Sequence, residues 1–363
     1  MQKILPRSNL FRKPILDMYP YVAPLEGRMG KDYLRLDFNE RTIPPHPRVL
    51  EELARYIDKG NLELYPEYGN LNEIIANYIG VDTQEIVPTV GSDQGIDIIT
   101  RALVTDGDKV IIPIPTFAML KQSALVQGAN IIAPPYKGRG YEFPFNEVME
   151  EINPGVNLVV ICKPNNPTGT PVSREQSEEI IKKAADVGVG VLADEAYHEY
   201  APEFTVTDLI DKYPNLFITR TFSKTMGIPS LRAGVIISQK QNIRELKKIR
   251  GPYDVGMLTV VALKSLRYKE VREDIKRYVN EIMHVSKPVV EKFYRENDIQ
   301  FAPSAANFHL LSMPEKFYKF MKARSILVRP RSDPAGTVRV SIGTKKDTDV
   351  YLEAIREFIE QVK

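Results

Sequence analysis

From about residue 47 the sequence alternates between segments of helical periodicity and short apolar segments, and this alternation constrains the fold more than any other feature. Helices are predicted at 48–59, 71–79, 93–103, 116–126 and 174–187, and strands at 85–90, 109–114, 130–133, 157–162, 190–193, 216–219 and 234–238. Strands that alternate with helices of this length form a largely parallel sheet with helices on both faces. We therefore predict an α/β fold that binds its ligand at the carboxyl ends of the strands.

After about residue 255 the pattern changes to long helices and short strands. Residues 268–297 form one nearly continuous helical pattern that we expect to bend or break near Pro288. Strands are predicted at 307–312, 325–328 and 338–342, and a final helix at 347–362. The first 40 or so residues lack the alternation and are expected to pack with this part. The prediction is a large domain over 45–255 and a smaller α+β domain built from 1–44 and 256–363.

Composition excludes several classes of function. The 363 residues include 49 Lys and Arg against 47 Asp and Glu, a balance that argues against a nucleic-acid partner. The longest apolar segments, such as 158–162, are far shorter than the roughly 20 residues of a membrane helix. A single cysteine, Cys162, and the lack of an apolar block in residues 1–16 predict a cytoplasmic protein. The four histidines show no metal-ligand spacing, so no metal site is predicted.

One motif is misleading. The segment Gly188-Val-Gly-Val-Leu-Ala193 matches the letters of the dinucleotide-binding fingerprint. That fingerprint requires a strand before the glycines and a helix after them, whereas here a predicted helix precedes and a predicted strand follows. We interpret the glycines as the end of a helix that leads into a strand.

Four polar segments follow predicted strands: Gly91–Gly95, Cys162–Thr170, Asp194–Tyr197 and Ser223-Lys224. A lysine amine at a strand exit can form a Schiff base with an aldehyde cofactor. A carboxylate and a phenol three residues apart can serve the ring nitrogen and ring oxygen of such a cofactor, and a helix N-terminus can hold its phosphate. Singly, the segments could be a turn, an N-cap or a helix start. Their meeting at one edge of a sheet favours the functional interpretation.

With these motifs in order, the sequence resembles the fold type I pyridoxal 5′-phosphate aminotransferases of class I/II, and within them the histidinol-phosphate aminotransferase branch. The resemblance covers nearly the whole chain and includes Pro20-Tyr21, Asn39-Glu40, Tyr65-Pro66, Pro115–Phe117, Asn165–Gly169, Thr221–Arg232 and Arg339–Thr344. It implies a large domain whose mostly parallel sheet lies between helices, and a smaller α+β domain.

The resemblance also implies a role for each matching residue. Lys224 would bind pyridoxal 5′-phosphate covalently and move the substrate proton, and Asp194 would pair with the pyridinium nitrogen. Tyr197 and Asn166 would hydrogen-bond the ring oxygen. The cofactor phosphate would be bound by Ser92, Asp93, Thr221, Ser223 and Arg232.

Other matches imply the subunit arrangement and the substrate contacts. Phe117 would stack on the ring, and Tyr65 would reach the cofactor phosphate of a partner subunit, which implies a homodimer with shared active sites. Arg339 would bind a substrate carboxylate through two hydrogen bonds, with Asn166 nearby. Tyr21 and Arg329 match positions that bind the substrate's phosphate or the γ-carboxylate of glutamate in the histidinol-phosphate branch.

The implied reaction passes an amino group from a small-molecule donor to a keto acid by a ping-pong mechanism, most simply from histidinol phosphate to 2-oxoglutarate in histidine biosynthesis. Three departures from the branch leave the substrate open: Arg41 would add a cation near the site mouth, Phe117 replaces a tyrosine, and the segment between Arg329 and Arg339 is a short loop. An aromatic or other amino-acid aminotransferase and a threonine-phosphate decarboxylase-like lyase remain alternatives. His198 is the one histidine expected near the cofactor.

Overall fold

The centre of the fold in the computed structural model, which describes residues 10–20, 27–29 and 31–362, is a seven-stranded sheet. The strands are β1 (Leu34–Arg35), β2 (Ile86–Val90), β3 (Lys109–Ile111), β4 (Asn130–Ile132), β5 (Leu158–Cys162), β6 (Gly190–Asp194), β7 (Leu216–Thr221), β8 (Ala233–Ser238), β9 (Phe308–Ser312), β10 (Ile326–Leu327), β11 (Arg329–Ser332) and β12 (Ala335–Ser341). The central sheet has the order β2-β8-β7-β6-β5-β3-β4, and β8 alone runs antiparallel to its neighbours. The predicted α/β class is confirmed.

Helices cover both faces of this sheet. The helices along the described chain are α1 (Lys13–Asp17), α2 (Pro47–Asp58), α3 (Leu71–Ile79), α4 (Gly91–Leu103), α5 (Ala118–Gln127), α6 (Phe145–Glu151), α7 (Arg174–Asp186), α8 (Lys240–Leu246), α9 (Met257–Lys264), α10 (Lys269–Asn280), α11 (Lys287–Glu296), α12 (Glu315–Ala323) and α13 (Lys345–Val362). The last three pack in a separate core. None of the helices in the described ranges combines the length and apolar character that a membrane span requires.

Alternate residues of each central strand enter different hydrophobic cores. Ile161 of β5 lies in one core with side chains of α7, whereas Val160 lies in another with side chains of α4. This two-sided burial explains why β5 is apolar along its whole length, since neither face meets water. The polar residues that were predicted for the site in the central sheet lie at the last residue of a strand, as Asp194 and Thr221 do, or after it, as Ser223 does.

A second layer carries a three-stranded antiparallel sheet, β11-β12-β9, and the parallel pair β1-β10. Its own core contains Phe308, Val340 and Ile355, and Leu36 from the N-terminal part packs among them. Between Arg329 and Arg339, the expected loop is instead the β11–β12 hairpin, in which these two arginines are directly paired. The two arginines of Arg329-Pro-Arg331 are separated by one residue, which is the spacing of side chains on one face of a strand. A strand was not predicted there because the segment is polar.

The expected division is a domain over 45–255 and a second domain formed by 1–44 and 256–363. It stays a prediction, and the packing of the cores favours different boundaries. Side chains as far along the chain as Ile275 belong to a core of the central sheet. The helix α1 lies against α5, where Arg12 Nη2 donates to the carbonyl of Val126 at 2.9 Å. We therefore propose that the larger unit includes α1 and extends to about residue 275.

Two local predictions have clear outcomes. The helix α7 ends at Asp186, Gly188 has φ of +75°, and Gly190 begins β6, so the motif at Gly188 is a helix end, as predicted. The helical stretch near Pro288 continues from α10 into α11 through a π-helical segment, Glu281–Ser286. The irregularity therefore lies before the proline, which occupies the first turn of α11.

Gly234 of β8 permits the closest backbone approach at the functional edge of the sheet. A Cβ at this position would lie 2.3 Å from the carbonyl carbon of Gly91 and 2.6 Å from the nitrogen of Ser92. We expect Gly234→Ala to destabilise the fold by about 1–3 kcal/mol, since only backbone movement can relieve the contact. Urea unfolding would measure this loss, with Gly256→Ala as control because no atom lies within 4 Å of a Cβ there. Equal stability of the two variants would contradict the argument.

Candidate active site

A cavity of about 520 Å³ opens where β2, β5, β6 and β7 end. Twelve of the predicted site residues line it: Ser92, Asp93, Phe117, Asn166, Asp194, Tyr197, Thr221, Ser223, Lys224, Arg232, Arg329 and Arg339. They come from strand exits of the central sheet and from the β11–β12 hairpin, so distant parts of the sequence form one site. No group of three or more His, Cys, Asp or Glu side chains in the described part of the chain is arranged to hold a metal ion.

The first turn of α4 and the loop after β7 form an anion cradle. Arg232 Nη2 lies 3.0 Å from an oxygen of Asp93, and its Nη1 donates to Ser223 Oγ at 3.4 Å. Thr221 Oγ1 donates to Ser223 Oγ at 2.9 Å. Gly91 has φ of +71°, and a Cβ there would lie 2.6 Å from Arg232 Nη2. Only glycine therefore lets the helix N-terminus and the guanidinium converge, which is the arrangement that binds a phosphate.

Asp194 is a buried carboxylate at the end of β6, only 2% exposed. Thr219 Oγ1 donates to one of its oxygens at 3.0 Å, and Cys162 Sγ lies 3.7 Å from the other. Burial raises the pKa of Asp194 to about 7, and the hydrogen bond from Thr219 acts in the opposite direction. A cationic ring nitrogen beside this carboxylate would stabilise its ionised form.

Lys224 lies in the loop after β7, and its amine is directed toward the cavity wall. Its Nζ donates to the carbonyl of Phe38 at 2.9 Å and lies 5.9 Å from the centre of the Tyr197 ring. Burial lowers the pKa of Lys224 to about 8, and the positive charge of Arg339 acts in the same direction. A larger fraction of the amine is therefore neutral near pH 7 than in an exposed lysine, as a nucleophile or a general base requires.

Tyr197 and Arg339 are held by polar contacts from the N-terminal segment. Asn39 Nδ2 donates to Tyr197 Oη at 2.9 Å, and burial raises the pKa of this phenol to about 12, so it remains protonated. Arg339 Nη1 donates to Asn166 Oδ1 at 2.6 Å, and its Nη2 donates to the carbonyl of Asp37 at 2.7 Å. The phenol, the amide and the guanidinium therefore keep defined positions around the cavity.

These groups fit pyridoxal 5′-phosphate. The glycine-dependent cradle matches its phosphate, the buried Asp194 its ring nitrogen, and the neutral phenol of Tyr197 its ring oxygen. Lys224 supplies the amine for its aldehyde, and Phe117, the N-cap of α5, adds an aromatic face to the cavity. A site with these residues can hold the cofactor and carry out chemistry at an amino group.

Some predicted residues lie elsewhere. Tyr65 is 76% exposed and stacks on Tyr253 with ring centres 4.6 Å apart, outside the cavity, so its predicted role across a subunit interface stays a prediction. Tyr21 lies outside the described residues. The expectation for Arg41 is wrong, because it is buried, lies 2.8 Å from Asp274 in an ion pair, and does not line the cavity.

His198 was also expected near the cofactor, and this expectation too is wrong. Its ring pairs with Glu199 at 3.0 Å, and it is not among the residues that line the cavity. His198 begins a 3₁₀ turn, His198–Tyr200, directly after Asp194-Glu-Ala-Tyr197.

Sequence reasoning missed several residues of the cavity wall. Arg28, Phe38, Glu40 and Arg331 line it, and Asn39 reaches it through its contact with Tyr197. The period of two that places Arg331 beside Arg329 was a usable signal. For Arg28 no sequence signal was available, since its position depends on contacts with Asp37 and Glu40 formed after folding.

Comparisons with known proteins agree with this geometry. The family model for aminotransferase class I and II matches residues 31–355. The histidinol-phosphate aminotransferase of Staphylococcus aureus is 32% identical over 335 residues, 90% of this chain and 91% of the relative. That of Staphylococcus carnosus is 33% identical over 347 residues, 93% and 94% of the two chains. A solved histidinol-phosphate aminotransferase from Sinorhizobium meliloti, in complex with pyridoxal-5′-phosphate, has the same fold, with a TM-score of 0.82 at 23% identity over 98% of this chain and 99% of that one.

The lowered pKa of Lys224 predicts a pH-dependent stability difference in the cofactor-free protein. The folded-state pKa is about 8 against an ordinary 10.5, so the cost of the buried ammonium is fully present below about pH 8. Between these values the unfolded chain binds more protons, and stability therefore rises with pH. Between pH 7 and pH 10.5, the free energy of unfolding of the parent, relative to that of Lys224→Met, should rise by up to about 3 kcal/mol.

Urea unfolding of both proteins at several pH values measures this difference. The buried amines of Lys163 and Lys287 are present in both proteins and cancel in the comparison. A stability difference that stays constant across this pH range would contradict the predicted pKa of Lys224.

Proposed function

Since this chain belongs to the aminotransferase class I and II family and is a pyridoxal-phosphate-dependent enzyme, we propose that it transfers the amino group of histidinol phosphate to 2-oxoglutarate. The observation that carries the proposal is the 32–33% identity to histidinol-phosphate aminotransferases over at least 90% of both chains. This reaction would give the chain a step in histidine biosynthesis. We also propose a cytoplasmic location, which is supported by a single, buried cysteine, Cys162.

The charge of the cavity supports an anionic substrate. Among the described residues, six basic side chains line it, namely Arg28, Lys224, Arg232, Arg329, Arg331 and Arg339, against three acidic ones, Glu40, Asp93 and Asp194. A donor that carries a phosphate and an acceptor that carries two carboxylates suit this balance. A neutral aromatic side chain carries no charge that could balance this excess.

When bound, pyridoxal 5′-phosphate withdraws electrons from the substrate carbon that loses its proton. The amine of Lys224, whose pKa is lowered to about 8, accepts that proton and returns it. Asp194 would keep a negative charge beside the ring nitrogen of the bound cofactor, and Tyr197 would donate a hydrogen bond from its phenol to the ring oxygen. Arg339 binds the α-carboxylate of glutamate or 2-oxoglutarate. Donor and acceptor use the same cavity in turn, so the proposed kinetics are ping-pong.

We further propose a homodimer with shared active sites. Leu62, Leu64 and Tyr65 are each more than 60% exposed, at 64%, 61% and 76%, within four residues of one another. An apolar exposed cluster of this kind is typical of a surface that another subunit covers. Tyr65 would then reach the anion cradle of the partner rather than that of its own chain.

Half-reactions with single amino donors test the substrate. Addition of histidinol phosphate or glutamate to the holoenzyme should remove the visible absorption of the bound cofactor, whereas phenylalanine should act at least about 100-fold less efficiently. Lys224→Ala is the control, since it should keep its fold and lose turnover. Faster reaction with phenylalanine would indicate an aromatic aminotransferase. Release of carbon dioxide from threonine phosphate would indicate a lyase.

Subunit hybrids test the shared site. Inactive Lys224→Ala and inactive Tyr65→Ala chains, unfolded together and refolded at equal concentration, should recover about a quarter of the parent activity. Half of the dimers are hybrids, and one of the two sites in each hybrid has both native residues. Mixtures that stay inactive, although sedimentation shows hybrid dimers, would contradict a role for Tyr65 across the interface.

A further inference from the structure

The β11–β12 hairpin presents two arginines to the cavity from the same strand. Along β11, Arg329 and Arg331 are partly buried, whereas Pro330 and Ser332 are exposed. Alternate residues of a strand lie on one face, so both guanidinium groups belong to the face that meets the cavity, and both line it. Arg331 is paired with Thr337 across the hairpin. This pair lies two residues closer to the turn than the pair Arg329 and Arg339.

Phe38 holds the first of these arginines in place. The guanidinium carbon of Arg329 lies 5.3 Å from the centre of the Phe38 ring, and that of Arg28 lies 4.4 Å from the same centre. Contacts of this kind between a cation and an aromatic ring stabilise both groups. Arg329 is thus anchored, whereas Arg331 contacts the hairpin turn, where its Nη2 donates to the carbonyl of Asp333 at 3.4 Å.

The acidic residues that line the cavity come from elements other than the hairpin. Asp93 is paired with Arg232 at the cradle, and Glu40 accepts a hydrogen bond from Arg28 at 3.4 Å. Asp194 is buried at the end of β6, where the ring nitrogen is expected. Among the described residues that line the cavity, the hairpin therefore contributes three arginines, Arg329, Arg331 and Arg339, and no acidic side chain, which suits an anion of more than one charge.

We propose that Arg331 is a second phosphate-binding arginine, which together with Arg329 binds the phosphomonoester of the amino donor and favours it over the γ-carboxylate of glutamate. This inference rests on the proposed function. A phosphate monoester carries about −1.5 to −2 charges at pH 7 and three acceptor oxygens. The guanidinium of Arg329 can donate to two oxygens at once, so it can bind both oxygens of a carboxylate. A phosphate has a third oxygen, which would then accept from Arg331.

Half-reactions of the Arg331→Gln holoenzyme with each amino donor test this selectivity. The concentration of histidinol phosphate that gives half-maximal rate should rise about 10- to 100-fold, the effect of losing a charge-assisted hydrogen bond. For glutamate the rise should stay below about 3-fold, because Arg329 alone suffices. Arg331→Lys should recover part of the loss, since it restores charge without the planar fork.

Arg244→Gln is the matched control, because Arg244 is exposed on α8 and its substitution removes the same charge from the surface. The visible absorption of the cofactor and the melting temperature show that each variant is folded and loaded. An equal loss for both donors, or no loss for histidinol phosphate, would overturn the proposal.

A second probe separates this inference from the proposed function. Inorganic phosphate should inhibit the glutamate half-reaction of the parent holoenzyme competitively, and about 10-fold more weakly in Arg331→Gln. If the parent does not react with histidinol phosphate but this difference persists, the proposed donor is wrong and the phosphate subsite stands. If phosphate inhibits parent and variant equally, the subsite proposal is wrong, whatever the donor.

Discussion

The buried carboxylate of Asp194 is the constraint on which the site depends. The strand β6 is apolar until its last residue, so the acid lies in the sheet itself, where Thr219 and Cys162 are the polar side chains in contact with its oxygens among the described residues. Burial of an uncompensated charge is costly, as the pKa of about 7 shows. A cationic ring removes that cost, so the protein and its cofactor stabilise each other.

The segment 37–42 joins the parts of the site that the sequence keeps far apart. The carbonyl of Phe38 accepts a hydrogen bond from Lys224, Asn39 donates to Tyr197, and the carbonyl of Asp37 accepts one from Arg339. Arg41, in turn, donates to the carbonyl of Thr225 beside the lysine. The arginine that was expected to attract substrate therefore fixes the lysine loop instead, and it does so because its ion pair with Asp274 buries it.

The sequence predicted the residues that line the cavity at the strand ends and missed those of the N-terminal segment, for a physical reason. These residues lie at or just after the ends of a few strands, so short local patterns mark them and the parallel sheet brings the strand ends together. Arg28 and Phe38 gain their positions from contacts formed only in the folded chain. The proposed extension of the larger unit beyond 255 could not be predicted, because α9 and the start of α10 are helical like the second layer, yet bury their apolar faces against the first core.

The residues around the anion cradle and the arginines of the hairpin belong to different layers of the fold, and this separation affects which substrate can bind. The cradle and Asp194 belong to one layer, built on β2, β6 and β7, whereas Arg329 and Arg331 belong to a hairpin of the second layer. Under the proposed function, a substrate that reacts at Lys224 contacts both layers at once. Changes in the hairpin can alter which anion is bound without disturbing the cofactor, because no strand of the central sheet pairs with β11. In the proposed site, substrate specificity therefore depends on the contact between the two layers, and cofactor binding depends on the central sheet.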